Sequence, residues 1–353
     1  MSGARLALSI GCPSGVGPEV SVVAAAASTN AQIVLVGDEA VILRAAKLRG
    51  VAQKRFVRVE HPSQAWSLAK REIGVFQPSK SLSLQSTSFG KPSQLGGAAQ
   101  LVWVDAACDI VSSGDADALV TGPVSKEAIA SSSAPGSKHF IGHTEHLQKR
   151  LGADEVVMAF YGELFSTALV TTHLALAKVP RAITTASVES ATFFLGELLS
   201  KISKKKIRVA VAGLNPHAGE HGLFGREEIE RISPAIVNVR ARFAKSKLPV
   251  EVFGPVPAES AFRLAMNGKY DGVVAMYHDQ ATIPMKVASF GEAVNVSLAL
   301  PIIRTSVDHG TAYDIAGKGS ADASGMRAAI ALAVRLTESA TTKSVMTKQR
   351  VQK

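Results

Sequence analysis

The sequence has few cysteines, few aromatic residues and no long apolar run, and each shortage excludes a class of protein. Two cysteines occur among 353 residues, which excludes a disulfide framework of the kind that staples small secreted domains. No apolar run approaches the roughly 20 residues of a membrane span. The first apolar run, residues 6–10, is shorter than the core of a signal peptide. The sequence therefore predicts a cytoplasmic protein without a membrane partner.

The composition favours an α/β protein of two domains. Hydrophobic residues make up 46% of the chain, enough for a large core, whereas aromatic residues make up 5%. Small residues are plentiful and suit packed layers of helices and strands better than an all-β sandwich. A chain of 353 residues exceeds one typical domain and fits two.

The excess of positive charge raises the alternative of nucleic-acid binding. The formal net charge is +10 at pH 7, and much of the excess lies in residues 203–208 and in the tail 341–353. No interleaving of aromatic and basic residues and no known nucleic-acid-binding motif accompanies these runs. We therefore expect solvated surface segments and no nucleic-acid partner.

Apolar runs with β-branched residues alternate with helical patterns along the chain. The runs are continuously apolar, as expected of strands covered on both faces of a parallel sheet. The clearest helical pattern lies at 226–243, where apolar residues recur at steps of three and four, and Pro234 is expected to bend or restart that helix. This order predicts an α/β fold with largely parallel sheets. The predicted strands are 6–10, 32–37, 117–121, 166–172, 206–213, 250–254, 271–277 and 293–300.

Polar and glycine-rich segments follow five of these strands. In open α/β sheets, ligands bind beyond the carboxyl ends of the strands, so the segments together predict one composite site. The first segment, GCPSGVGPE at 11–19, matches neither the dinucleotide-binding fingerprint nor the P-loop, and a standard Rossmann domain is therefore not expected. The other four are GPVSKE, the residues around His173, LNPHAGEHG and HDQ.

Three histidines come after predicted strands: His173, His217 and His278. Three histidines with an open fourth position are typical of a catalytic zinc site. Their spacing matches no local metal motif, so the alternative for each one is a buried histidine that bonds to the backbone. Asp279, beside His278, either orients that ligand or caps a helix.

A second group of residues indicates an anionic substrate. The segment 142–152 predicts a helix with Thr144 as its N-cap, and the free N–H groups of a helix start suit a phosphate. Lys286, Asn295 and Arg304 follow His278 at successive steps of eight, nine and nine residues. A lysine and an arginine near a metal favour a carboxylate or phosphate ligand. Ordinary capping and a surface location are the alternatives for these residues.

Six long blocks occur in order along the chain: TGPVSKEAI, GHTEHL, VTTHLAL, GLNPHAGEHGLFGREEIE, GVVAMYHDQ and AVNVSLALPIIRTSVDHGTAYDIAGKGSAD. Together they resemble 4-hydroxythreonine-4-phosphate dehydrogenases, enzymes of pyridoxal 5′-phosphate synthesis. The resemblance implies two α/β/α domains with a cleft between them, as in isocitrate and isopropylmalate dehydrogenases, which are not standard Rossmann domains. It implies a first domain of residues 1–130 plus 306–353 on the cofactor side. The second domain, 131–305, would carry the metal and substrate residues and the dimer interface.

The resemblance also implies cofactors, partners and site residues. The cofactors are NAD or NADP and a divalent metal, zinc ahead of magnesium or cobalt. The substrate is a small phosphorylated molecule bound in an active site that two protomers of a homodimer share. Asp279 and Lys286 are the catalytic candidates for proton transfer. The metal ligands are His173, His217 and His278; the substrate-binding residues are His143, Thr144, Lys286, Asn295 and Arg304; the cofactor-binding residues are His309, Gly310, Thr311, Ala312 and Asp314.

The reaction that the resemblance implies is oxidation and decarboxylation of 4-phosphooxy-L-threonine to 3-amino-2-oxopropyl phosphate. Cys12, Ala281 and Ala299 depart from the family pattern, which has an acidic residue at the first position and glycine at the other two. These departures leave open a dehydrogenase of a phosphorylated sugar acid, 4-phospho-threonate or 4-phospho-erythronate. A zinc hydrolase is a further alternative, but it leaves the DIAGKG block without a purpose.

Overall fold

The computed structural model describes residues 3–289 and 291–351, with side chains described up to residue 340. The chain forms two compact units, Met1–Glu155 with Leu300–Lys353, and Val156–Ala299. The units divide at residues 155 and 300, whereas the resemblance implied boundaries at 130 and 306. Both units are layers of helices and strands, so the predicted α/β class is confirmed. The assignment of one domain to the cofactor and the other to the metal stays a prediction.

The described residues form twelve β-strands, and each of the eight predicted strands overlaps one of them. The four that the sequence analysis missed are short or carry polar residues. The strands are β1 (Ala4–Ser9), β2 (Ala31–Val36), β3 (Phe56–Val59), β4 (Ile73–Phe76), β5 (Ala118–Thr121), β6 (Val157–Tyr161), β7 (Ser166–Leu169), β8 (Ile207–Ala212), β9 (Val250–Val256), β10 (Gly272–Ala275), β11 (Val294–Leu298) and β12 (Ile303–Val307).

The helices lie between the strands. The predicted helix at 226–243 consists of a π-helical turn, Glu228–Ile232, followed by α8, which carries Pro234 in its first turn. None of the described helices is both long and apolar enough to cross a membrane. The α-helices are α1 (Gly17–Ala27), α2 (Glu39–Leu48), α3 (Gln94–Ser112), α4 (Lys126–Ala130), α5 (His143–Arg150), α6 (Val179–Ala182), α7 (Thr185–Ile202), α8 (Ser233–Ser246), α9 (Ala258–Met266), α10 (His278–Ala288) and α11 (Ser324–Val351).

The strands of the first unit are all parallel. Their order is β3-β4-β2-β1-β5-β12. The side chains of Leu6, Ala7 and Leu8 in the central β1 are fully buried, as expected of a strand covered on both faces. Because β1, β5 and β12 are neighbours and run in the same direction, the segments that follow them leave the sheet at the same edge.

The strands of the second unit are mixed. Their order is β11-β6-β7-β10-β8-β9; β6 is antiparallel to both of its neighbours, and the pairs from β7 to β9 are parallel. The core between this sheet and its helices includes Phe165, Phe262 and Met285. The segments that follow β7, β10 and β8 therefore also leave at one shared edge.

Candidate functional site

Three histidines of the second unit follow three neighbouring parallel strands. His173 comes after β7, His217 comes after β8, and His278 is the first residue of α10, which follows β10. In the sheet, β10 lies between β7 and β8. The structure thus places all three histidines along the edge at which α/β sheets bind their ligands.

His173 and His278 lie beside each other. Their ring centroids are 5.7 Å apart, with the planes inclined by 39°. Two imidazoles that share a tetrahedral zinc ion have centroids about 5 Å apart, given the usual Zn–N bond length. The carboxylate of Asp279 is 2.7 Å from Nδ1 of His278, which leaves Nε2 of that ring for a metal. The chemistry and spacing of this pair fit a divalent metal.

His217 does not join that pair within one chain. Its ring packs against Phe224, with centroids 6.3 Å apart. Among residues 3–289 and 291–340, no three His, Cys, Asp or Glu side chains form a group that could hold a metal ion. A single chain therefore brings two of the three predicted ligands together and leaves the third outside the pair.

The turn that carries His217 has an uncommon backbone. Residues 217–221 all have positive φ, between 43° and 79°. Four of these five residues have side chains, and the left-handed conformation costs about 1 kcal/mol or more for each of them. Strain of this kind persists where the surrounding structure holds it, and it is concentrated at functional sites. The four are His217, Ala218, Glu220 and His221.

Glu228 holds the start of this turn. The residue is 2% exposed, and its Oε1 accepts hydrogen bonds from the backbone N–H groups of Leu214 and Asn215, both at 2.8 Å. Its Oε2 accepts a hydrogen bond from Nδ2 of Asn215 at 2.9 Å. Gly219 leaves room for this carboxylate, since a Cβ there would lie 2.7 Å from Oε2.

The helical pattern at 226–243 includes Ile229 among the apolar residues of its predicted buried face and gives no sign of a buried Glu228. Ile229 is 44% exposed, and Glu228 takes the buried position four residues before Ile232. The π-helical turn is the reason, because it changes which residues face inward. A glutamate spaced four residues from a buried isoleucine was the available signal.

Replacing Glu228 with alanine is expected to lower the free energy of unfolding by about 3 kcal/mol, because two partly buried backbone N–H groups lose their acceptor. Urea denaturation would measure this change. Glu230→Ala is the matched control, since Glu230 is an exposed member of a surface pair with Arg226 and should cost less than about 1 kcal/mol. Equal effects of the two substitutions would contradict the assigned role.

In the first unit, buried cationic and donor groups meet at the start of α5. Arg304, on β12, is 2% exposed, and its Nη2 donates to Oγ1 of Thr121 at 2.7 Å. Nε2 of His143 is buried and has no hydrogen-bond partner among the described residues. Burial, followed by the charges of Arg304, His146 and Lys126, holds the pKa of His143 well below its usual value. His143 is therefore a neutral imidazole near a buried guanidinium.

Thr144 is buried beside this cluster, but the prediction that it caps the helix was wrong. The N-cap is Gly142 and α5 begins at His143, so Thr144 is the second helical residue. Glycine suits position 142 because the Cβ of any other residue would lie 3.0 Å from Oε2 of Glu145. The remaining predicted substrate residues lie in the second unit: Lys286 is exposed in the last turn of α10, and Asn295 is half-buried on β11.

The predicted cofactor-binding residues, 309–312 and Asp314, follow β12, and this segment contacts the one that follows β1. The backbone N–H of Val16 donates to the carbonyl of Thr311 at 2.9 Å, and that of Gly317 donates to buried Glu19 at 2.8 Å. The backbone is open at Gly310, where an added Cβ would have no neighbour within 4 Å. An anchored loop with accessible backbone fits the close approach of a cofactor.

Two of the three residues that depart from the family pattern, Cys12 and Ala299, have distinctive local surroundings. Sγ of buried Cys12 lies 3.4 Å from the hydroxyl of Tyr313, and burial raises the pKa of both groups, that of Tyr313 to about 12. Both are thus neutral at pH 7. Ala299 has a φ of 66°, a conformation that favours glycine. Nothing in the structure explains the buried Ala281.

Comparisons with known proteins agree with this architecture. The family model described as pyridoxal phosphate biosynthetic protein PdxA matches residues 29–333. A 4-hydroxythreonine-4-phosphate dehydrogenase of Geobacter metallireducens is 38% identical over 94% of this chain and 95% of its own length.

Two solved structures show how far the likeness extends. The 4-hydroxythreonine-4-phosphate dehydrogenase of Klebsiella pneumoniae has a TM-score of 0.79 and 32% identity, and the match covers 95% of this chain and 98% of that one. A terephthalate 1,2-cis-dihydrodiol dehydrogenase of Burkholderia xenovorans has a TM-score of 0.65 and 30% identity, covering 94% and 98%. The predicted isocitrate dehydrogenase-like fold is confirmed by these neighbours. The chain belongs to the PdxA family of pyridoxal phosphate biosynthetic proteins.

Proposed function

We propose that the protein is an NAD- or NADP-linked 4-hydroxythreonine-4-phosphate dehydrogenase. It would oxidise and decarboxylate 4-phosphooxy-L-threonine to 3-amino-2-oxopropyl phosphate in pyridoxal 5′-phosphate synthesis. The observation that carries the proposal is the placement of His173, His217 and His278 after three neighbouring parallel strands, in a chain of the PdxA family. A cytoplasmic location accords with this metabolic role.

The metal would be held by His173 and His278, with His217 as the third ligand. Imidazole ligands favour zinc over magnesium, while cobalt shares the same donor preference. When bound, the metal acts as a Lewis acid on the substrate hydroxyl, and the nicotinamide accepts a hydride. Asp279 would fix the tautomer of His278, so that Nε2 faces the metal.

The chain supplies proton transfer and anion binding. Asp279 and Lys286, both on α10, are the proposed acceptors of the hydroxyl proton. Arg304 and neutral His143, with Thr144, would bind the phosphorylated end of the substrate, because their donors are buried and face little competition from water. Lys286 and Asn295 would complete the substrate contacts. Residues 309–312 and Asp314 would bind the NAD or NADP cofactor.

A homodimer with a shared active site is part of the proposal. The side chains of Ile283 and Val287, one turn apart on α10, are 63% and 79% exposed, and Leu223 near His217 is 73% exposed. Apolar residues exposed beside a predicted site are typical of an interface. A second copy at this face would also account for the failure of one chain to bring His217 to the other two histidines.

A turnover assay tests the proposed function. Purified, zinc-loaded protein is mixed with 4-phosphooxy-L-threonine and NAD or NADP, and both reduced cofactor and carbon dioxide are followed. We expect both products in equal amounts, and their loss in His217→Ala. If metal-loaded protein forms no reduced cofactor with this substrate or with the sugar acids named below, the dehydrogenase assignment is contradicted.

A phosphorylated sugar acid is the second candidate substrate. Cys12 is neutral at the position where the family has an acid, and a 30% identical neighbour is named for a different substrate, a cis-dihydrodiol. Assays with 4-phospho-threonate and 4-phospho-erythronate run beside the first one. Turnover of these acids alone would assign the protein to this second activity.

A further inference from the structure

The start of α5 carries more positive charge than helix electrostatics favours. A helix N-terminus has a positive partial charge, so cations placed there are unfavourable. Nζ of Lys126 lies 3.6 Å from the position that a Cβ of Gly142, the N-cap of α5, would occupy. Lys126 and Arg304 both act electrostatically on His143, the first residue of this helix. Two cations therefore lie near the N-terminus of α5, the end at which the helix dipole disfavours positive charge.

Lys126 is also placed against the rule within its own helix. It is the first residue of α4, where an acidic side chain is favourable and a lysine is not. Its backbone position is well fixed: Oγ of Ser125 accepts from the N–H of Ala128 at 3.1 Å, and the N–H of Ser125 donates to Oε1 of Gln100 at 2.8 Å. The exposed Lys126 side chain therefore extends from a rigid base toward the start of α5.

One acidic group, Glu145 in the first turn of α5, acts on this cluster. Glu145 is the carboxylate that favours the charged form of Arg304. None of the ion pairs found among the described residues includes Lys126. Nε2 of His143, the first residue of α5, is buried and has no hydrogen-bond partner among the described residues. Local rules broken together at one place indicate a functional site, and a bound anion of charge −2 would relieve both conflicts.

We propose that Lys126 binds the phosphate group of the substrate, as a fourth group beside His143, Thr144 and Arg304. The substrate identity rests on the function proposed above, whereas the preference for a dianionic phosphate over a monoanionic carboxylate rests on the charge of this cluster. The ammonium of Lys126 supplies up to three donors to phosphate oxygens and forms no covalent bond.

Binding of inorganic phosphate tests the proposal without catalysis. The full-length protein is titrated with phosphate at pH 8 and constant ionic strength by isothermal calorimetry, so that the ligand is the dianion. We expect Lys126→Met to raise the Kd at least tenfold and Lys126→Arg to stay within threefold of the unchanged protein. Lys149→Met, at the opposite end of α5, removes the same charge and should leave the Kd within twofold.

The activity of the same variants separates the two proposals. With 4-phosphooxy-L-threonine, Lys126→Met should raise KM at least tenfold and change kcat less than threefold. Loss of phosphate affinity in this variant without turnover in any variant would retain the subsite and overturn the function. Turnover with unchanged KM and phosphate Kd in Lys126→Met would retain the function and overturn the subsite. Failure of the unchanged protein to bind phosphate would also overturn it.

Discussion

Replacing His278 with alanine is expected to remove the metal and lower kcat/KM by roughly a thousandfold or more, because Lewis-acid stabilisation of several kcal/mol is lost. Of the three proposed metal ligands, His278 has the most complete surroundings, with His173 beside its ring and Asp279 on its Nδ1. Metal content after dialysis, measured by emission spectrometry, and the steady-state rate give two independent measurements.

Two further variants make this test specific. Asp279→Asn should keep the ring in place but weaken metal affinity by about 10- to 100-fold, as is usual for the partner of a ligating histidine. His139→Ala removes an exposed histidine in the first unit and should change neither measurement. A His278→Ala protein with full metal content and full activity would exclude this histidine from the metal site.

Replacing Arg304 with methionine is expected to lower kcat/KM for the phosphorylated substrate by about a hundredfold or more, since charge-assisted hydrogen bonds from a buried guanidinium are among the strongest polar contacts. Arg304→Lys should be nearly as damaging, because a lysine cannot reproduce the fork that bonds Thr121. Initial rates over a range of substrate concentrations would measure both effects.

Folding must be separated from binding in this experiment, because Arg304 is 2% exposed. Thr121→Val leaves the guanidinium in place and removes the hydroxyl that accepts its hydrogen bond, so we expect a smaller loss of about tenfold together with an unchanged circular dichroism spectrum. Arg327→Met, on the surface of α11, controls for the loss of one positive charge. If Arg304→Met folds and keeps the original kcat/KM, this arginine does not bind substrate.

Apolar strands can be predicted from the sequence more readily than strands that carry polar side chains. β1 and β8 are continuously apolar because both faces are covered, and periodicity therefore predicts them. β12 reads as Ile-Arg-Thr-Ser-Val and was missed. Its polar side chains are buried only because neighbouring elements satisfy them: Arg304 and Ser306 bond to Thr121, and Thr305 bonds to the carbonyl of Ala329. Such partners depend on the tertiary structure.

The sequence by itself determined the family and the α/β class, because long ordered blocks and buried strands leave strong local patterns, and it predicted that three histidines follow strands. Only the tertiary structure decided which residues meet. The neighbours β7, β10 and β8 do not follow one another in the chain, so the sheet order, rather than the spacing, sets His173 beside His278. The same holds for Lys126 at the start of α5 and for the carboxylate of Glu228 under the His217 turn, since both contacts depend on packing between segments.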